Sequence, residues 1–193
     1  YHLWKTCGIR ICMTDVKAIR VLLINEVVPD DPRQDFHGSD TGAYAGSLIS
    51  LFQEAGIGFR SMKDIDESGI TVINAVNTPK QGRKITSLQM EESMPAFRKT
   101  LSERKDLEVI VLNGVVAKKM FNRIVKSETG RNLIPSIATY KLRNNVYMYR
   151  GIRVLPSYIV TGENIQIEKK KRAMVIEDLK TMIHLLEGNN GNQ

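Results

Sequence analysis

A carboxylate and two amides stand where apolar runs of the chain give out. Asn25 and Glu26 close the run that begins at Ile19, and Asn74 falls near the end of a second run, residues 70–76. A carboxylate at a strand end can align and activate a water. An Asn amide carries a donor and an acceptor, so it can read the edge of a base with two hydrogen bonds. Polar residues also cap strands and hold loop backbone, so residue type alone leaves both roles open. Ser157, in Pro156-Ser157-Tyr158, can hold a phosphate through its hydroxyl and backbone N–H, or simply shape a turn. Lys80, Arg83 and Lys84 share one loop, and Lys169-Lys170-Lys171-Arg172 form a second basic cluster. Both can neutralise phosphates, although a solvated helix face is the commoner fate of such a run.

Other chemistries lack their residues. No G-x-G-x-x-G or G-x-x-x-x-G-K-[ST] follows a strand, which removes dinucleotide and P-loop sites. No G-x-S-x-G nucleophile elbow occurs. Cys7 and Cys12 make a single C-x4-C with no second ligand pair, so no metal site is expected. One short bridge would not staple a secreted scaffold, which points to a reducing, cytoplasmic setting. His184 sits mid-helix beside Ile183 and Leu185 and reads as a surface or packed residue.

The elements that must carry these residues alternate along the chain. Residues 19–25 and 70–76 read as buried strands rich in branched side chains. Between them, a breaker-rich loop from Pro29 to Gly42 leads into a helix over 44–55, with Gly56 as its stop. Thr86 with Gln89 forms a capping-box pattern that opens a helix to about Arg104. Residues 107–112 form a third strand, and Asn113-Gly114 turn into a helix over 115–126. Val146-Tyr147-Met148-Tyr149 alternates like a hairpin arm, 152–155 is a further strand, and a long helix covers roughly 164–186. This alternation predicts a parallel sheet covered by helices on both faces. Ligands in such sheets bind at the carboxyl ends of the strands. Four places follow: Asn25-Glu26, Asn74 to Pro79, Asn113-Gly114, and Leu155 to Tyr158.

With 193 residues, one domain with a sizeable core is expected. Residues 1–18 form an N-terminal extension, 19–187 the domain, and 188–193 a disordered polar tail. No apolar run reaches the length needed to span a bilayer, so no membrane partner is expected. The net charge of +7 suits a polyanionic partner.

In order and spacing the chain resembles the uracil-DNA glycosylase superfamily, closest to the branch that carries an iron–sulfur cluster. Ile24-Asn25-Glu26-Val27-Val28-Pro29 stands for its I-G-E-x-P-G motif, and Gly38 to Ile49 for G-x-P-F-x-G-x-A-G-x-L-L. Ile73-Asn74-Ala75-Val76-Asn77-Thr78 resembles L-N-x-V-L-T, and Val109 to Ala117 resembles V-I-V-x-L-G-x-x-A. Leu155-Pro156-Ser157 stands for H-P-S, with Asp178-Leu179 later in the last helix. The resemblance covers about residues 19–182. It implies an α/β fold, a three-layer α/β/α sandwich with a four-stranded parallel sheet.

The implied activity is hydrolysis of the N-glycosidic bond of uracil, or a related damaged base, flipped out of DNA. Glu26 would be the catalytic residue. Asn25, Asn74, Thr41, Phe36, Tyr44 and Leu155 would surround the base. Ser157, Tyr158, Lys80, Arg83 and Lys84 would hold DNA phosphates. Departures bear on this. Leu155 replaces the family's His, and losing one such hydrogen bond to the leaving base typically costs about 10²–10³ in rate. Thr41 stands where a base-stacking aromatic is expected, with Phe36 and Tyr44 as substitutes. Thr78 and Ser93 lie near two positions of the cluster cysteines, so no iron–sulfur cluster and no other cofactor is expected. The alternative is an impaired member that binds nucleic acid, a free base or a nucleotide without cleaving it. The expected partner is single- or double-stranded DNA, bound by a monomer.

Overall fold

The computed structural model describes residues 18–190. The N-terminal extension through residue 17, with Cys7 and Cys12, lies outside the described residues, as do 191–193.

The first strand, β1 (Val21–Val28), sets the architecture. Its first five residues are all buried, because both of its faces are covered. Val21 and Leu23 enter one core, while Leu22 and Ile24 enter another. Period-two side chains on a strand between two helical layers give this division. Fully burying each such side chain is worth about 1.5–3 kcal/mol. The first core holds α1 (Ala43–Glu54), α2 (Met62–Glu67) and α7 (Lys169–Asn190) against the sheet. The second holds α3 (Ser87–Glu103) and α4 (Val115–Thr129).

The sheet has five strands in the order β2-β1-β3-β5-β4, with β2 at Ile70–Pro79, β3 at Val109–Asn113, β4 at Tyr147–Tyr149 and β5 at Ile152–Ser157. Four are parallel and β4 is antiparallel to β5. The expected four-stranded parallel sheet is therefore extended by an antiparallel edge. Its cause is local. Arg150 (φ 50°) and Gly151 (φ 81°) both adopt left-handed backbone, the requirement of a two-residue type I′ hairpin.

Other boundaries differ from expectation. Two short helices escape the periodicity, α2 and α5 (Thr139–Leu142), each too short to display it. The long final helix is two helices, α6 (Glu163–Ile167) and α7, divided at Glu168. α7 runs through Gly188 to Asn190, so helix replaces the first part of the expected disordered tail. The capping box at the start of α3 forms as the sequence predicts: Thr86 Oγ1 accepts from Gln89 N at 3.2 Å, and Gln89 Oε1 accepts from Thr86 N at 3.1 Å. Among the described residues no helix is long and apolar enough to cross a membrane.

Candidate active site at the carboxyl ends of the strands

Parallel strands in register place their polar ends side by side. Asn25 pairs with Asn74 and Asn113 with Ser157. Asn25 and Asn113 each lie one residue beyond the Ile24–Leu112 pair. One row, Asn74-Asn25-Asn113-Ser157, thus crosses four strands on the face that carries Val21 and Leu23. Asn25 Nδ2 donates to Asn74 Oδ1 at 3.0 Å. Asn74 Nδ2 in turn donates to both oxygens of Asp35, each at 3.0 Å. Asp35 comes from the breaker-rich loop, where no residue pattern signals this partnership. Ser157 Oγ donates to Asp178 Oδ2 at 2.5 Å. Between these two fixed ends, Asn113 is buried and neither atom of its amide has a partner among the described residues; nor does Asn25 Oδ1. Buried amides are normally satisfied by a protein group, an ordered water or a ligand.

Glu26, one residue further along β1, turns to the opposite face. Its Oε1 accepts from Val116 N at 3.0 Å, in the first turn of α4. A carboxylate is favoured there because the helix N-terminus presents unpaired N–H groups and positive dipole. Gly114, which precedes α4, makes this approach possible. Its φ is +103°, and a Cβ at this position would lie 2.3 Å from Glu26 Oε1. Gly114→Ala should destabilise the protein by about 1–3 kcal/mol through backbone strain alone and displace the Glu26 carboxylate. Thermal unfolding would register the first effect. A melting temperature equal to wild type would contradict the reading.

Beside Glu26 is a cavity of about 240 Å³, lined also by Gly114, Val115, Thr139, Tyr158 and Lys171. Pockets for drug-sized ligands run to about 300–1,000 Å³, so this one suits a smaller group. Lys118 stands close behind it. It is buried in α4, and its Nζ donates to Thr139 Oγ1 at 2.5 Å. Burial pushes its ammonium below the ordinary lysine value, and the Glu26 charge partly restores it. The sequence carries a signal for this lysine: positions 118, 121 and 125 share the apolar stripe of α4 with Phe121 and Val125.

The other expected site residues divide. Tyr44 is half-buried, and its phenol is pushed up by burial and by the charges of Asp35, Asp30 and Glu26, against a hydrogen bond with Thr161. Its ring packs against Phe36, and it does not line the Glu26 cavity. Tyr158 lines the cavity, with Lys171 Nζ 5.7 Å from its ring centroid. Phe36 is a core residue, 2% exposed and tilted against Tyr44 at 5.4 Å, so it has no open face for a base. Thr41 is exposed and shares a hydrogen bond with Ser39. Leu155 is also a core residue: it pairs with Val111 mid-strand, below the polar row, and does not line the cavity. Ser157 is 1% exposed with its hydroxyl given to Asp178, which removes it as a phosphate contact in this arrangement. Asn74 does not line the Glu26 cavity. Lys80, Arg83 and Lys84 lie on the loop after β2 and line neither that cavity nor the neighbouring groove of α4.

The second basic cluster also has a structural member. Arg172 pairs with Glu54 and bonds Ser50 Oγ at 3.0 Å, tying α7 to α1. The Arg172 guanidinium holds the Glu54 carboxyl below its usual value. His184 is on the surface, its side chain 90% exposed. Comparison of the chain with protein-family models and with curated proteins gave no match.

Proposed function

We propose that the protein is a uracil-DNA glycosylase-like hydrolase, acting on uracil or a related damaged base flipped out of DNA. The observation that carries this reading is that Glu26 and the hydrogen-bonded Asn25-Asn74 pair stand together at the carboxyl ends of adjacent strands, on opposite faces of the sheet, with Glu26 lining a cavity of about 240 Å³. Glu26 would hold a water against C1′ of the sugar. The water oxygen bonds to C1′, its proton passes to the Glu26 carboxylate, and the C1′–N bond breaks with its electron pair leaving on the base. The amide of Asn74 supplies donor and acceptor for the base edge, and Tyr44 is the half-buried aromatic offered for stacking. With Leu155 in the core, the position of the family's His offers no imidazole to the departing anion.

One observation favours the second reading, a member that binds without cleaving. The Asn74 amide is engaged by Asn25 and Asp35, and Glu26 Oε1 is engaged by α4. A productive base would have to replace the contacts of Asn74.

The test is a single-turnover assay with excess protein on labelled single- and double-stranded DNA containing uracil, with alkali cleavage of abasic sites. Cleavage by wild type that disappears in Glu26→Ala and Asn74→Ala is the result expected of the hydrolase. DNA binding that falls with salt, without any cleavage, would replace it by the binding module.

A further inference from the structure

A large groove among the described residues lies outside the strand-end site. It has a volume of about 590 Å³ and runs between α4 and the loop of residues 132–139. Lys118, Lys119, Arg123 and Lys126 line it, and no carboxylate does. Positions 119, 123 and 126 form one stripe along α4, spread over about 10 Å of helix. None of these three side chains is in an ion pair among the described residues. Cations left unpaired on one face of a concave wall attract a polyanion rather than stabilise the fold.

Two further features narrow the ligand. Val115 is 70% exposed and Ile137 50% exposed, and both line this groove. An apolar surface beside a row of cations matches a strand whose phosphates and unstacked bases both need partners. The groove also shares Val115 and Thr139 with the Glu26 cavity. Buried Lys118 sits at this junction, with one of its three N–H donors spent on Thr139. A duplex is convex and offers its bases only at groove edges; a single strand can lie inside a crevice.

We infer that this groove is the track of single-stranded DNA. Lys119, Arg123 and Lys126 hold its phosphates, Val115 and Ile137 pack against its bases, and Lys118 anchors the phosphate next to the Glu26 cavity. The choice of DNA rests on the glycosylase reading; the choice of a single-stranded phosphodiester rests on the groove itself.

The test measures binding of a fluorescent single-stranded oligodeoxynucleotide containing one uracil, by anisotropy across a range of salt. Wild type is compared with Lys119→Ala/Arg123→Ala/Lys126→Ala and with Lys80→Ala/Arg83→Ala/Lys84→Ala. All these side chains lie outside the cores, so both variants should fold, with circular dichroism as the check. Single strands lose about 0.7 of salt slope per phosphate contact removed. The groove variant should therefore lose about 2 from the slope and bind at least about tenfold more weakly at low salt. The loop variant should change less. Wild-type affinity and slope in the groove variant would overturn the inference. So would an RNA strand of the same sequence binding more tightly than the DNA. Cleavage is scored separately on the same samples. Groove-dependent binding without cleavage leaves the track standing and removes the hydrolase; cleavage with groove-independent binding does the reverse.

Discussion

Glu26→Gln should lower single-turnover release of uracil by about 10²–10⁴-fold, the range for loss of a positioned general acid or base, while DNA binding stays at the wild-type level. Glutamine is the informative replacement because it separates charge from shape. It keeps an oxygen able to accept the Val116 N–H that Glu26 Oε1 accepts at 3.0 Å, so the start of α4 and the close approach over Gly114 survive. What it removes is the negative charge, which takes the proton of the water and stabilises positive charge on the sugar. Glu26→Ala removes both, and with them an interaction at the helix N-terminus worth about 0.3–1 kcal/mol. If catalysis needs the charge, the two variants should be equally slow and differ only in melting temperature. A Glu26→Gln rate close to wild type would remove Glu26 from the chemistry.

The strand-end row shows what a sequence of this kind discloses. Parallel strands buried on both faces read as apolar runs, and each run here carries a polar residue at or near its end. Asn25, Asn74, Asn113 and Ser157 therefore mark their own positions, and the sheet's register brings them level. Loop partners carry no such mark. Asp35 reaches Asn74 across 39 positions from a segment whose residues signal only turns. The fates of Ser157 and Leu155 were hidden for a related reason. A motif fixes where a residue falls in the chain, but burial depends on what packs above it, and α7 supplies Asp178 over Ser157. Among short elements, α2 held a readable cue. Ser61 and Asp64 form a capping box, which signals a helix start even where six residues cannot show a period. The α4 groove is the opposite case: each lysine is an ordinary helix residue, and only the facing loop turns the stripe into a concave wall.

That same α7 carries the second large effect. Arg143→Met should destabilise the protein by about 3–5 kcal/mol near neutral pH, because it leaves a buried carboxylate without its cation. Arg143 follows α5, a helix too short to foresee. Its Nε donates to Asp178 Oδ1 at 2.8 Å, and its terminal nitrogen donates to Glu177 Oε2 at 2.9 Å and to Met174 O at 3.0 Å. The Arg143 and Asp178 side chains are 16% and 11% exposed. Burial pushes the Asp178 carboxyl above its ordinary value of 3.8, and outweighs the downward pull of Ser157 and Arg143. The pH dependence follows from that sign. A carboxyl that is harder to ionise when folded contributes its full stability below 3.8, and loses it as pH rises through the raised value. Without Arg143 the raised value climbs further, so the loss at neutral pH deepens. The penalty of Arg143→Met should accordingly shrink as pH is lowered from about 7.5 toward about 4.5, since protonation relieves the unpaired charge. Asp178→Asn keeps an acceptor for Ser157 and carries no charge, so adding it to Arg143→Met should recover part of the lost stability at neutral pH. Denaturant unfolding of the four proteins in this cycle measures the coupling directly. A cost that is the same at both pH values, or a double variant no more stable than Arg143→Met alone, would show that Arg143 acts through packing and its bond to Met174 rather than through the charge of Asp178.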